Sequence, residues 1–304
     1  MLCFVIGVLA VALRSDLRLP DQVGSLISTY LLLAIGLKGG VRLQSTQVAD
    51  LWAPLLATLA LGALTPAITF VAARRFARLA TIDAAAIAAH FGSVSAVTFT
   101  AAEAFARSAD PATEGFLPAL VAVLEVPGIV IALVLALRVT GSTGLRSAVH
   151  EVLTGKSILL LLGGLAIGVA ASDAAIARVE PFFIGLFPGM LCLFLLDLGT
   201  VAGQRVAQIR AAGPRLPALA IGLPVVFGAI GVGLGTLADM SAGGAAVLGA
   251  MAASASYIAA PAAVRVALPD ADLGLCLGIA IGVTFPFNLI VGIPLYTELA
   301  QLLR

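Results

Sequence analysis

Two short runs place hydroxyl-bearing and very small residues inside stretches that are otherwise apolar. They are Gly92-Ser93-Val94-Ser95-Ala96-Val97-Thr98 in the first half of the chain and Ala253-Ser254-Ala255-Ser256-Tyr257-Ile258 in the second. Serine and threonine hydroxyls donate to an oxyanion or accept toward a small cation. Hydrocarbon offers no hydrogen bonds to a loosened backbone, so such clusters are tolerated where they line a cavity or let helices pack closely. If the helices break there, the N–H groups and positive dipole end of a half-helix attract an anion. Free carbonyls at the opposing end suit a cation. Gly92, Ser93, Val94, Ser95 and Ala96, with Ser254, Ala255, Ser256 and Tyr257, are therefore the candidate anion site. Close helix packing by small residues is the plainer alternative for either run alone.

Glu125, in Leu124-Glu125-Val126-Pro127-Gly128, is a carboxylate in the middle of an apolar stretch. A charge at that depth is costly, so it is expected to face a cavity, a cation or a donor. Pro127 frees a backbone carbonyl nearby. Glu125 reads either as a sodium or proton ligand, with Thr98, Thr284 and Asn288 as companions, or as a structural hydrogen-bond partner. Lys38 and Asp197 are the other deep charges and are expected to neutralise each other. His90 is expected to bond a helix carbonyl, and Glu103 with Arg107, four apart, to form a helical ion pair. Trp52, Tyr30 and Tyr296, near the ends of apolar stretches, read as interfacial anchors. Cys3, Cys192 and Cys276 show no metal or pairing spacing and read as small buried hydrophobes. The sequence offers no nucleophile, phosphate-binding glycine loop or metal cluster, so neither an enzyme nor a resident cofactor is expected.

The elements that must hold these residues follow from composition. The chain has 304 residues, 61% of them hydrophobic and 11% charged, and a mean hydropathy of +1.13, far too apolar for a soluble domain. A membrane-spanning helix needs roughly 20 apolar residues, which leaves room for about ten spans and no soluble domain. Breaks in the apolar runs place them near 2–15, 22–41, 51–73, 82–106 and 116–137, then 156–171, 181–203, 216–238, 244–267 and 273–303. The uncharged run of the first, Leu2 to Leu13, reaches only about 18 Å as a helix. It reads as a retained helix rather than a signal peptide, either continuing past Arg14 or lacking residues upstream. Gly7 with Ser15 and Asp16 matches Gly164 with Ser172 and Asp173, Ser93 and Ser95 match Ser254 and Ser256, and Pro127 matches Pro286. An odd number of spans per repeat inverts the second against the first. The expected fold is an all-α membrane protein of ten helices in two inverted five-helix repeats, with helices 4 and 9 crossed or broken. The first repeat covers 1–138, a cytoplasmic connection 139–155, and the second repeat 156–304. Of the 17 Lys and Arg, only Lys38, Arg42, Arg107, Arg178 and Arg304 fall on one side of these spans. That bias puts the other side in the cytoplasm and both termini outside. Net charge and the lack of a Lys/Arg run give no reason to expect nucleic acid.

The chain resembles the SbtA-type sodium-dependent bicarbonate transporter family of bacteria. The resemblance rests on Ile35-Gly36-Leu37-Lys38-Gly39-Gly40, on Phe91 to Thr98, on Glu125-Val126-Pro127, and on Ala252 to Ser256 with Pro261 and Arg265. It implies a trimer in the bacterial inner membrane and an elevator-like motion of a core (helices 3, 4, 5, 8, 9 and 10) against a gate (helices 1, 2, 6 and 7). It implies bicarbonate between the two runs, sodium beside Glu125, and regulation by a small PII-type protein for some members. Tyr257 stands where characterised members carry an aspartate, and the segment between the repeats is shorter than theirs. Two other readings remain open at this stage, a transporter of an organic carboxylate and a non-transporting membrane sensor or scaffold.

Overall fold

With no water to satisfy them in hydrocarbon, backbone N–H and C=O groups of so apolar a chain must bond within helices. The computed structural model describes residues 2–110, 112–140, 145–211 and 213–304, and among them there are helices and turns but no strand. The helices run α1 (Leu2–Ala12), α2 (Asp21–Leu43), α3 (Trp52–Arg75), α4 (Thr81–Phe91), α5 (Ala96–Ala109), α6 (Leu117–Thr140), α7 (Leu145–Thr154) and α8 (Lys156–Ala170). There follow α9 (Asp173–Glu180), α10 (Phe187–Ala211), α11 (Arg215–Leu237), α12 (Ala242–Ala252), α13 (Ala259–Ala267), α14 (Leu273–Ile279), α15 (Phe285–Phe287) and α16 (Ile293–Leu302). Among the described residues, 7 helical stretches are long and apolar enough to cross a membrane. Leu2–Ala12, Lys156–Ala170 and Ala242–Ala252 are apolar but shorter. The chain is a multi-pass helical membrane protein.

Two helix pairs are held together through glycine. A side chain at Gly36 or Gly40 of α2 would collide with the backbone of α8 around Leu161 to Gly168, and one at Gly7 of α1 would collide with Leu196 to Thr200 of α10. Without a hydrophobic force between helices in lipid, such close backbone approach supplies the packing. Both pairs are parallel, since contacts advance in the same direction along each partner. At one end of the α2 and α8 pair, Lys156 Nζ donates to the Ser25 carbonyl at 2.8 Å. At the other, Gln44 Nε2 donates to the Gly168 carbonyl at 2.7 Å. The first helix ends at Ala12, earlier than expected, because Arg14 takes a left-handed turn at φ 57°.

The remaining helices enclose the two serine runs. Helix α3 packs on α4 and α6, and α11 packs on α12 and α16. Each of α3 and α11 carries an internal proline, Pro66 and Pro224. The ring of Pro224 removes the N–H that would satisfy the Ala220 carbonyl, and the Thr284 hydroxyl donates to that carbonyl instead at 2.9 Å. Between α14 and α16 the chain runs through π-helical turns at Ala280–Thr284 and Asn288–Gly292, a form common at functional sites. Helix α7, in the connection between the halves, rests on α13 and α6; residues 141–144 of that connection lie outside the described ones.

Several expectations need correction. Lys38 and Asp197 do not pair. Helices α2 and α10 run antiparallel, so Asp197 lies opposite Gly24 near one end of α2, while Lys38 Nζ sits 3.7 Å above the Phe187 ring near the other. Tyr296 and Tyr30 are not interfacial anchors. Tyr296 is 1% exposed and its hydroxyl lies 3.0 Å from both the Pro224 carbonyl and Asn288 Oδ1. Tyr30 is 6% exposed and packs among Phe182, Phe183 and Phe187. Trp52 is exposed. Of the cysteines only Cys276 is buried, with Cys3 partly buried and Cys192 exposed.

Candidate functional site

Both serine runs break their helices. Helix α4 stops at Phe91 and α5 starts at Ala96, while α12 stops at Ala252 and α13 starts at Ala259. The first break has a local cause in glycine. A side chain at Gly128 of α6 would collide with the carbonyl of Gly92, and one at Gly92 would come within 2.9 Å of the Gly128 carbonyl. Pro127 stands one residue earlier in α6, so the first crossover is seated on backbone beside a proline.

The two breaks interlock. The Ser95 N–H donates to the Ser254 hydroxyl at 2.8 Å, and that hydroxyl donates onward to the Met251 carbonyl at 2.8 Å. In the opposite sense, the Ser256 N–H donates to the His90 carbonyl at 2.7 Å. Ser95 Oγ caps α5 by accepting from the Thr98 N–H at 3.2 Å. Ser256 Oγ accepts from the Ala260 N–H at 3.4 Å in the first turn of α13. Ala96 and Val97 open α5, and their N–H groups have no carbonyl four residues back within the helix. The starts of α5 and α13 thus converge on one place.

A cavity of about 10 Å³ lies at that place, lined by Leu32, Val94, Ser95, Ala96, Glu125, Ser256, Tyr257 and Ile258, room for about one water-sized body. Val94, Ala255 and the remaining residues of both runs are buried, except Ile258, which is half-buried. Buried polar atoms are nearly always paired, yet Ser93 Oγ, Glu125 Oε2, Tyr257 Oη and His90 Nε2 have no partner among the described residues. His90 Nδ1 lies 2.7 Å from the Ala86 carbonyl, so that nitrogen carries the proton and Nε2 is left an acceptor. The Glu125 carboxyl is 4% exposed, and Ser157 of α8 lies beside it. The Tyr257 ring packs edge-on against Phe285, with centroids 5.9 Å apart, so its hydroxyl enters the site from a fixed direction.

The residues named from sequence divide into two groups. Ser95, Val94, Ala96, Ser256, Tyr257 and Glu125 share the cavity. Gly92, Ser93, Ser254 and Ala255 of the runs, and Thr98, Thr284 and Asn288, do not line it. The Asn288 amide donates to the Ala253 carbonyl at 2.9 Å, so Asn288 holds the second crossover, and Thr284 faces α11. Sequence reasoning missed Leu32, Ile258, Ser157 and Gly128. Gly128, directly after Pro127, and Ile258, directly after Tyr257, carried a usable signal; Leu32 and Ser157 meet the site only through tertiary packing.

A wider cavity of about 450 Å³ lies between α2, α5 and the start of α10, lined among others by Lys38, Arg42, Glu103 and Arg107. Glu103 accepts from Arg107 Nε at 3.0 Å and Nη2 at 2.8 Å, the ion pair expected from their spacing. Its inner residues Ile35, Thr100 and Leu191 also line a small apolar cavity that reaches Ala96, Val97 and Ile258.

No curated protein matches the chain. A family model described as the Na+-dependent bicarbonate transporter superfamily matches residues 1–301. The match takes in both crossovers, Glu125 and the wide cavity, and by it the chain belongs to the Na+-dependent bicarbonate transporter superfamily.

Proposed function

We propose that the protein is a secondary transporter that carries bicarbonate into the cell, driven by a sodium gradient. The observation that supports this most is the convergence of the α5 and α13 starts on one small cavity whose lining includes Ser95, Ser256, Tyr257 and Glu125. Two half-helix N-termini offer N–H groups and positive dipole ends to an anion. The hydroxyls of Ser93, Ser95 and Ser256 and the Tyr257 phenol add donors from the sides, around Gly92, Val94, Ala96 and Ala255, while Ser254, whose hydrogen goes to the Met251 carbonyl, holds the frame. Glu125 supplies the negative charge that a coupling sodium requires; Thr98, Thr284 and Asn288 would join it as cation ligands only after the core rearranges, since Thr284 is turned to α11 and Asn288 holds the second crossover. A cavity of about 10 Å³ must widen to admit bicarbonate, and an organic carboxylate would require it to widen further.

The architecture we infer is ten helices in two inverted repeats. The parallel pairs α1 with α10 and α2 with α8 support it, since exchanging the halves turns one pair into the other. Helices α1, α2 and α8 to α10 would form the gate and the rest the core, with the core moving in an elevator-like way. Glu125 meets Ser157 at the seam between these groups, where such a motion would change its surroundings. Family kinship suggests a homotrimer in the bacterial inner membrane, termini outside, and leaves room for a PII-type regulator.

Purified protein in vesicles, loaded with choline and diluted into sodium with labelled bicarbonate, tests the reading. Sodium-dependent accumulation is expected. Transport of another anion with no bicarbonate uptake, with or without sodium, would overturn the substrate.

A further inference from the structure

Lys38 makes no ion pair among the described residues; Glu103, on the same cavity wall, attracts it from beyond ion-pair distance and Arg42 repels it. Glu103 is ion-paired to Arg107. Among the residues lining the wide cavity Glu103 is the one acid, and two guanidinium nitrogens of Arg107 engage it. Lys38 and Arg42 are left as excess positive charge on the same wall. Each is held in place by packing. The Lys38 ammonium rests 3.7 Å above the Phe187 ring, and the Arg42 side chain lies over Gly115, where an added Cβ would come within 2.7 Å of it. Cations on a concave wall with apolar surroundings focus the field and concentrate anions.

The cavity also leads somewhere. Its floor, Ile35, Thr100 and Leu191, is shared with the apolar cavity that ends at Ala96 and Val97, the first residues of α5. An anion held by Lys38 stands at the mouth of the route to the crossovers, separated from them by Leu32, Ile35 and Leu191.

We propose that this vestibule is a second, outer binding site for a small oxyanion, in which Lys38, assisted by Arg42, holds bicarbonate before it passes the apolar floor. The proposal rests on the transport reading above. It predicts that Lys38 governs apparent affinity rather than turnover, and that the effect is electrostatic.

The test is initial-rate uptake of labelled bicarbonate by reconstituted wild type, Lys38→Gln, Lys38→Arg, Arg42→Gln and Phe187→Leu, with assembly of each checked by size-exclusion profile. Lys38→Gln is expected to raise KM about five-fold or more with Vmax within about two-fold of wild type. Arg42→Gln moves KM the same way by less, and Lys38→Arg restores it. Raising a non-transported salt from about 20 mM to about 300 mM raises KM for wild type and hardly for Lys38→Gln. Phe187→Leu removes the ring contact but keeps the charge, and its KM stays within about two-fold of wild type. An unchanged KM in Lys38→Gln, or equal damage from Lys38→Gln and Phe187→Leu, overturns the outer site while leaving transport standing. Absence of wild-type uptake overturns both.

Discussion

The two crossovers start from nearly the same residues and are stabilised by different means. At the first, Gly92 lies backbone to backbone against Gly128, and no side chain intervenes. At the matching place in the second, the Asn288 amide reaches the Ala253 carbonyl, itself braced by Tyr296. The serines differ in the same sense. Ser254 Oγ both accepts from Ser95 N–H and donates to the Met251 carbonyl, whereas Ser93 Oγ, its counterpart, has no partner. Ser254 of the second crossover is thus satisfied and acts as a frame, and only Tyr257 of that run keeps an unpartnered hydroxyl. The first keeps polar capacity in reserve beside Glu125 and Tyr257. Similar serine runs need not share a role, because what each hydroxyl can do depends on which backbone groups its neighbours leave open.

The contrast is broken most directly at Gly128. Gly128→Ala drives a methyl into the carbonyl of Gly92 with backbone on both sides, and overpacking of this kind costs about 3 kcal/mol. Lowered yield of folded protein and a clearly lower melting temperature in detergent are expected, and a wild-type melt would show that the crossover is not seated there. Asn288→Leu attacks the other crossover by leaving the Ala253 carbonyl without its donor. Tyr296 retains the Pro224 carbonyl, so a smaller loss of about 1–2 kcal/mol is expected. If Asn288→Leu melts lower than Gly128→Ala, the two means of support have been ranked wrongly.

Both breaks were legible because glycine and serine are conspicuous inside apolar helices, and a break in hydrocarbon has few physical purposes. The membrane class followed from composition, and the Glu103 with Arg107 pair from helical spacing. What misled was distance across the chain. Lys38 and Asp197 fall close together when the halves are laid over each other, but the antiparallel register of α2 and α10 puts Asp197 beside Gly24. Tyr296 stands near the end of the last helix in sequence, yet Gly228 opens a space on α11 that takes in its ring. Leu32 and Ser157 are ordinary residues locally, and only packing brings them to the site.

The serines sharpen the comparison by smaller effects. Ser254→Ala deprives the buried Ser95 N–H of its acceptor, so a destabilisation of about 1 kcal/mol is expected, read as a modest drop in melting temperature. Ser93→Ala removes a buried hydroxyl with no protein partner, a change that is near neutral or even favourable for folding, within about 0.5 kcal/mol. If that hydroxyl is held for the transported anion, KM for bicarbonate rises about ten-fold in Ser93→Ala while the melt stays at the wild-type value. Such a split separates a residue that contacts cargo from one that supports the frame. A Ser93→Ala protein that melts as low as Ser254→Ala and transports like wild type would reverse the assignment, making the first crossover the frame and the second the contact surface.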